Sequence, residues 1–385
     1  MSLRKSFSKL YLIPVVWAIV GVFVIASVLK ANENILVSGK VWEEGTPFWD
    51  TSISVEPGQE FKITLVASNF DQIESVTNVS LIDVLPEHTS YIDDSSFQIL
   101  TAGGSWDPLV DDNTSPFDGT GVAPHGGILD PWGFANYKYT VQVDDILPTG
   151  TTQLTWEGPI LNFTDASGAQ TKPQMENISI TVENLPNISG FNILTGNAYK
   201  LGDIINISAI GTSGKTAYVE IGSIRIDLTE AGSTYDGSHT VVIGDDFSSV
   251  VPRLYFVDTE TETKGAYLDF GAQILIDATL PPAPTNLSAV VEEATLQATL
   301  TWDLPADESD VLQYNIYYDG ASGTVGYEAP ITMVMPGINQ FTTTPLAVDK
   351  AYIFVIRAQD MAGNIEQNIE SASVSTDFIP PNPPA

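Results

Sequence analysis

The stretch LQATLTW (residues 296–302) sets Leu296, Ala298, Leu300 and Trp302 against Gln297, Thr299 and Thr301. Successive strand residues point to opposite faces, so this run suits a strand with one buried and one wet face. The same alternation recurs in FKITLVAS (61–68), YKYTVQV (137–143), NISITV (177–182), DIINISAI (203–210), IGSIRIDL (221–228) and YIFVIRA (352–358). Gly, Pro, Asn and Asp cluster between the runs, which arrive about every ten to fifteen residues. From Ile35 onward no 3.6-residue apolar period is sustained, and no helical crossovers separate the strands. A doubly wound α/β enzyme fold is thereby excluded. The expected fold class is all-β: tandem antiparallel β-sandwiches after an N-terminal hydrophobic helix.

That first segment reads differently from the rest. Residues 1–30 carry Arg4, Lys5, Lys9 and Lys30 and no acid, and Leu10 to Leu29 are uncharged. As a helix this run reaches about 30 Å, the thickness of a bilayer hydrocarbon core. Basic residues ahead of it keep that end cytoplasmic, so everything after Lys30 is expected outside the cell. The segment is either a cleaved signal peptide, with small residues at Ala26 and Ala31, or a retained membrane anchor. A buried core helix is the third reading.

Composition bounds the remainder. The 385 residues fit two to four domains, and 43% hydrophobic with 10% aromatic residues excludes wholesale disorder. Fifteen basic residues against 48 acidic give a net charge of −33, which repels phosphate backbones and excludes a nucleic-acid partner. No cysteine is present, so disulfides, thiolate metal sites and Cys nucleophiles are excluded together.

Two proline-rich spacers punctuate the chain, Asp277 to Pro284 and Asp377 to Pro384. Proline fixes φ and removes a donor, so each is an extended, semi-rigid linker. They lie roughly 100 residues apart, one sandwich domain. The second runs to the C-terminus, which reads as a linker to a further domain. A weaker boundary falls at Glu183-Asn184-Leu185-Pro186. The expected division is 1–34 signal peptide or anchor, 35–182, 183–278 and 279–377 as three sandwiches, and 378–385 as linker.

Segment 282–377 resembles a fibronectin type III domain. Pro282 and Pro284-Thr-Asn-Leu287 match its opening strand, Thr301-Trp302 with Pro305 its strand B and core tryptophan, and Tyr314, Ile316 and Tyr318 its strand C. Leu346 and Tyr352, followed by Phe354, Ile356, Ala358 and Asp360, are similar to its tyrosine corner, and Met361-Ala-Gly-Asn364 fits the ensuing turn. Segment 35–182 resembles the conserved-repeat domain of envelope proteins through Pro57-Gly58-Gln-Glu-Phe61, Asn69 and Val79-Ser-Leu-Ile-Asp83-Val-Leu-Pro86, with an acidic insertion over 101–136. Segment 187–278 is similar to a bacterial Ig-like domain through Tyr199-Lys-Leu-Gly202-Asp203 and Ile276-Asp277. These resemblances imply an exported bacterial or archaeal surface protein.

Chemistry-bearing motifs are few. Ala209-Ile-Gly-Thr-Ser-Gly214-Lys215-Thr216 meets a permissive phosphate-loop pattern, but a strand-like run follows where that mechanism needs a helix N-terminus. His88, His125 and His239 have no metal-ligand spacing, and no Gly-Xaa-Ser-Xaa-Gly elbow occurs. Asp107, Asp111, Asp112, Asn113, Asp118 and Asp130 crowd a glycine-rich stretch that could wrap calcium, although a solvated acidic loop is the preferred reading. Asp307, Glu308 and Asp310 read as solvent-facing acids. Sequons stand at Asn78, Asn113, Asn162, Asn177, Asn187, Asn206 and Asn286.

The sequence therefore leads to a non-catalytic modular cell-surface protein serving adhesion, envelope structure or display. Its alternatives are the spacer region of a larger secreted hydrolase and a calcium-dependent surface-layer subunit. No catalytic, cofactor or metal residues are expected. The expected partners are other surface proteins or glycans, and the membrane if residues 1–34 are retained.

Overall fold

The computed structural model describes residues 34–43, 48–109, 114–194 and 196–376. The segment expected as a hydrophobic helix and the linker 378–385 lie outside them. The described residues form strands and turns, with one short 3₁₀ element at Pro124–Gly126. Among them no helix is long and apolar enough to cross a membrane.

Two compact units are present. One holds the described residues up to Ile188 with Gly211–Thr216 and Tyr255–Leu268; the other holds Ser189–Ile210, Ala217–Leu254 and the described residues from Asp269 onward.

The first unit uses strands β1 (Ile35–Trp42), β2 (Ser52–Val55), β3 (Glu60–Asn69), β4 (Val76–Ile82), β5 (Phe134–Val143), β6 (Ile160–Asp165), β7 (Gly168–Pro173) and β8 (Ser179–Val182). One sheet runs β1-β3-β5, antiparallel, with Ile35 opposite Asn69 and Glu60 opposite Gln142. A second runs β7-β6-β4, also antiparallel. β2 and β8 depart from the antiparallel expectation and pair in parallel, Ser52 beside Ser179. A parallel pair needs a long crossover, and here the rest of the sandwich supplies it. Alternation fills the core: Ile35, Val37 and Val41 point in from β1, and Phe61, Ile63, Leu65, Tyr137 and Tyr139 from its neighbours.

The insertion 101–136 is not simply a solvated loop. Phe117 is fully buried, its ring 5.4 Å from those of both Tyr137 and Tyr139. Gly121, at φ +68°, lies so close to Leu81 that a Cβ there would stand 2.2 Å from the Leu81 carbonyl oxygen. The turn brings Val122 into a bridge with Leu81.

The second unit contains strands β9 (Ile204–Gly211) up to Ile210, β10 (Thr216–Ile221) from Ala217, β11 (Ile224–Ala231), β12 (Thr234–Thr240), β13 (Ile274–Asp277), β14 (Thr285–Glu292), β15 (Gln297–Asp303), β16 (Gln313–Tyr318), β17 (Ala351–Gln359) and β18 (Ser371–Ser375). The run IGSIRIDL, expected as one strand, is split. Gly222, at φ +60°, and Ser223 turn the chain so that Ile221 faces Ile224 and β10 pairs with β11. A two-residue turn needs positive φ, which glycine adopts without steric cost. The segment 209–216 joins strand β9 to strand β10 with no helix after Lys215, so the phosphate-loop chemistry has no scaffold.

In the last sandwich β14 pairs with β15, and β16, β17 and β18 form a second antiparallel sheet. Trp302, Leu300, Tyr314, Ile316, Phe354 and Ile356 fill the space between. Trp302 is 2% exposed. The Tyr352 hydroxyl accepts the Ala347 N–H at 3.1 Å, tying the chain before β17 to that strand. Leu296 itself stands outside β15 with φ +58°, so the deciding strand begins one residue later than its alternation suggests.

Candidate functional site

Among the described residues one group of carboxylates converges. Asp277 closes β13, Asp360 follows β17, and Asp310 lies between β15 and β16. One carboxylate oxygen from each lies within 4.8 Å of the others; Asp360 is buried, Asp277 half-buried and Asp310 exposed. Asn364 holds the buried member. Its backbone N–H donates to Asp360 Oδ1 at 2.8 Å, and its Nδ2 donates to Asp360 Oδ2 and to the Asp277 carbonyl oxygen, each at 2.8 Å. Asp246 lies close by and accepts the Ala278 N–H at 2.7 Å.

Partial desolvation, then the charges of Asp360 and Asp246, raise the Asp277 carboxyl above its ordinary range. Asp310 is raised by desolvation and then by Asp277, Asp360, Asp246 and Asp307. Like charges at this separation disfavour one another's ionised forms. Carboxylates so placed supply part of the six to eight oxygens that Ca²⁺ takes. Asp360, sealed from solvent, cannot serve in a glycosidase pair, because that chemistry needs both carboxyls open to a sugar.

A second buried acid lies in the first unit. Asp83 follows β4 and is 1% exposed. Its Oδ2 accepts the Tyr139 hydroxyl and its Oδ1 accepts Trp156 Nε1 at 3.0 Å. The Asp83 N–H donates to the Phe117 carbonyl at 3.2 Å, fastening the insertion to the core. Burial pushes its carboxyl up to about 7; the two side-chain donors oppose that rise, and the charge of Asp118 adds to it.

The residues singled out in sequence fall elsewhere. Asp111, Asp112 and Asn113 lie outside the described residues, and Asp107, Asp118 and Asp130 do not join a metal-ligating group among those described. Asp130 instead accepts the Ser75 hydroxyl at 2.8 Å. His88 stands 3.5 Å from Asp144 and His239 2.7 Å from Asp245, while the His125 ring contacts the Phe134 carbonyl at 3.0 Å. Each histidine is thus engaged separately. Of the acids read as solvent-facing, Asp310 joins the carboxylate group, and Glu308 accepts the Tyr314 hydroxyl at 2.5 Å. The sequon residues Asn78, Asn177, Asn187 and Asn286 are exposed, whereas Asn162 and Asn206 are half-buried.

No family model matches the chain. A stretch of 107 residues is 31% identical to chitinase A1 of Niallia circulans, covering 28% of this chain and 14% of that enzyme. Exoglucanase B of Cellulomonas fimi is 32% identical over 104 residues, 27% of this chain and 8% of the enzyme. The chain thus spans only a small part of the curated relatives it matches. Among solved structures, an Fn3-like protein from Clostridium thermocellum is 25% identical, with 26% of this chain and 99% of that one covered and a TM-score of 0.22. Fibronectin(III)-like modules of CbhA from the same organism are 16% identical over 50% of this chain and 94% of that one, with a TM-score of 0.28. The architecture is β-sandwich throughout the described residues.

Proposed function

We propose that this chain is a non-catalytic, exported run of β-sandwich modules that spaces or displays other domains. One observation carries the reading. Similarity of about one-third identity, over the length of a single sandwich, reaches both a chitinase and an exoglucanase. A segment common to enzymes named for different polysaccharides is the part that does not choose the substrate. The same match favours the spacer of a larger hydrolase over adhesion or a surface layer. The basic flank of residues 1–30 and the acidic remainder support export, with an envelope conserved-repeat module first and an Ig-like module second. Stiff sandwiches joined by proline-rich linkers would then hold their neighbours apart, and the acidic surface would resist association.

The test is hydrolysis of fluorogenic cello- and chito-oligosaccharides by the purified chain. No turnover is expected. Turnover that disappears in Asp310→Asn would overturn the non-catalytic reading.

A further inference from the structure

The alternation of β1 sends Val41 inward and Trp42 outward, opposite Lys62 on β3. Trp42 lies 6.1 Å from Trp49, centroid to centroid, with the two rings tilted by 43°. Lys62 Nζ sits 4.5 Å from the centroid of the Trp42 ring. Phe48, beside Trp49, is 74% exposed, and covering so large an aromatic with a ligand is favourable. Trp42 and Phe48, but not Trp49, line an open groove of about 480 Å³ together with Val41, Ile53, Glu43, Asp50, Ser52, Ser54 and Thr181. That volume falls within the span of small-ligand sites, which combine apolar and aromatic walls with a few placed polar groups.

We infer that this groove binds a neutral polysaccharide of β-linked pyranose rings, with Trp42 and Phe48 as the stacking platform and Trp49 packed against Trp42. Such a sugar presents C–H bonds on its faces and hydroxyls around its edge. The C–H groups carry slight positive charge and meet the electron-rich face of an indole, the same attraction that seats Lys62 on Trp42. Hydroxyl donors at the edge meet the carboxylates of Glu43 and Asp50 and the hydroxyls of Ser52, Ser54 and Thr181. Charge selects a neutral occupant: two acids line the groove, the chain carries −33 overall, and an anionic glycan would be repelled. This binding goes beyond the spacer function, since a spacer requires no ligand.

The experiment is titration of the full chain, in mild detergent, with cellohexaose, chitohexaose, an alginate oligomer and an alternating Val/Thr decapeptide, read by tryptophan fluorescence and calorimetry. One or both neutral oligosaccharides bind, and the alginate and the peptide do not. Trp42→Ala and Phe48→Ala each weaken the binding by about tenfold or more, as truncation of an aromatic anchor does. Phe48→Ala removes an exposed ring and keeps the parent melting temperature, so its loss of binding is not a folding defect. Trp132→Ala, at a tryptophan outside the groove that is 56% exposed, leaves the affinity unchanged. Absence of binding to both neutral sugars overturns the assignment. So does binding that survives Trp42→Ala and Phe48→Ala, tighter binding of alginate, or capture of the peptide alone.

Discussion

Asp83 in the first unit and Asp319 in the last sandwich are both buried carboxylates, and their surroundings drive them in opposite directions. Asp83 receives two side-chain donors, the Tyr139 hydroxyl and Trp156 Nε1, and burial still lifts it to about 7. Asp319, 7% exposed, also feels burial, but the backbone N–H groups of Ile353, Ala321 and Gly323 reach it at 3.0, 3.0 and 2.9 Å. Together they outweigh desolvation and hold its carboxyl below the ordinary value. Fixed backbone dipoles at a turn can stabilise a charge that two side chains inside a core do not. The sandwiches look alike in outline, yet one encloses an acid poised near neutrality and the other seals its acids at loop ends around an apolar centre.

The largest test concerns that apolar centre. Trp302→Ala should destabilise the last sandwich by about 3–5 kcal/mol, since the indole is packed against Tyr314 and fills the space between sheets. Denaturant melts of the full chain, followed by near-ultraviolet circular dichroism, report it. A loss under about 1 kcal/mol would mean that the centre of this sandwich lies elsewhere.

The two acids themselves give opposite pH signatures. Asp83 is raised in the folded state, so its contribution is fully present below the unfolded value near 3.8 and is lost as pH rises through 7. Relative to Asp83→Asn, the parent should lose on the order of 2–4 kcal/mol between pH 4 and pH 8. Asp319 is lowered, so its contribution is present above 3.8 and disappears as pH falls through its folded value. Asp319→Asn should therefore cost about 1.5–3 kcal/mol at neutral pH, the worth of charge-assisted hydrogen bonds, with the gap closing in acid. Both differences are taken against variants, which removes the general repulsion of an acidic chain. Parallel slopes for the two residues would end the contrast.

Much of this was readable from residue order. Period-two alternation located the strands around Ile63, Tyr139, Leu300 and Phe354, because a half-buried strand writes its two faces into the sequence. It also carried an unused signal: Val79, Leu81 and Asp83 share a parity, which puts the acid on the buried face. Trp42 was legible as an outward residue by the same rule. The hairpin at Gly222 was missed although its signal was present: Ile221 and Ile224 differ in parity, so the alternation breaks at Gly222-Ser223, a turn-type pair. The group Asp277, Asp310 and Asp360 had no signature at all. Three acids from separate segments meet only through tertiary packing, whereas the acid-rich run 107–130 looked like a site because its residues are neighbours in sequence.

The smallest effect comes from that group. Asp310 is exposed and is raised by desolvation and by four other acids, so its charge opposes folding near neutral pH and ceases to do so once it is protonated. Asp310→Asn should therefore stabilise the chain at pH 7 in chelator, by under about 1 kcal/mol because water screens an exposed carboxylate. The gain should shrink toward pH 4 and again in high salt, where the Debye length falls to roughly 3 Å at 1 M. Calcium should reduce the advantage more than magnesium at equal ionic strength, since three carboxylates suit a cation that accepts many oxygens more readily than one that keeps its waters. Thermal melts of parent and variant in chelator, calcium and magnesium read all of these together. A variant that melts below the parent in chelator would mean that Asp310 makes a favourable contact, and mutual repulsion would no longer account for its raised carboxyl.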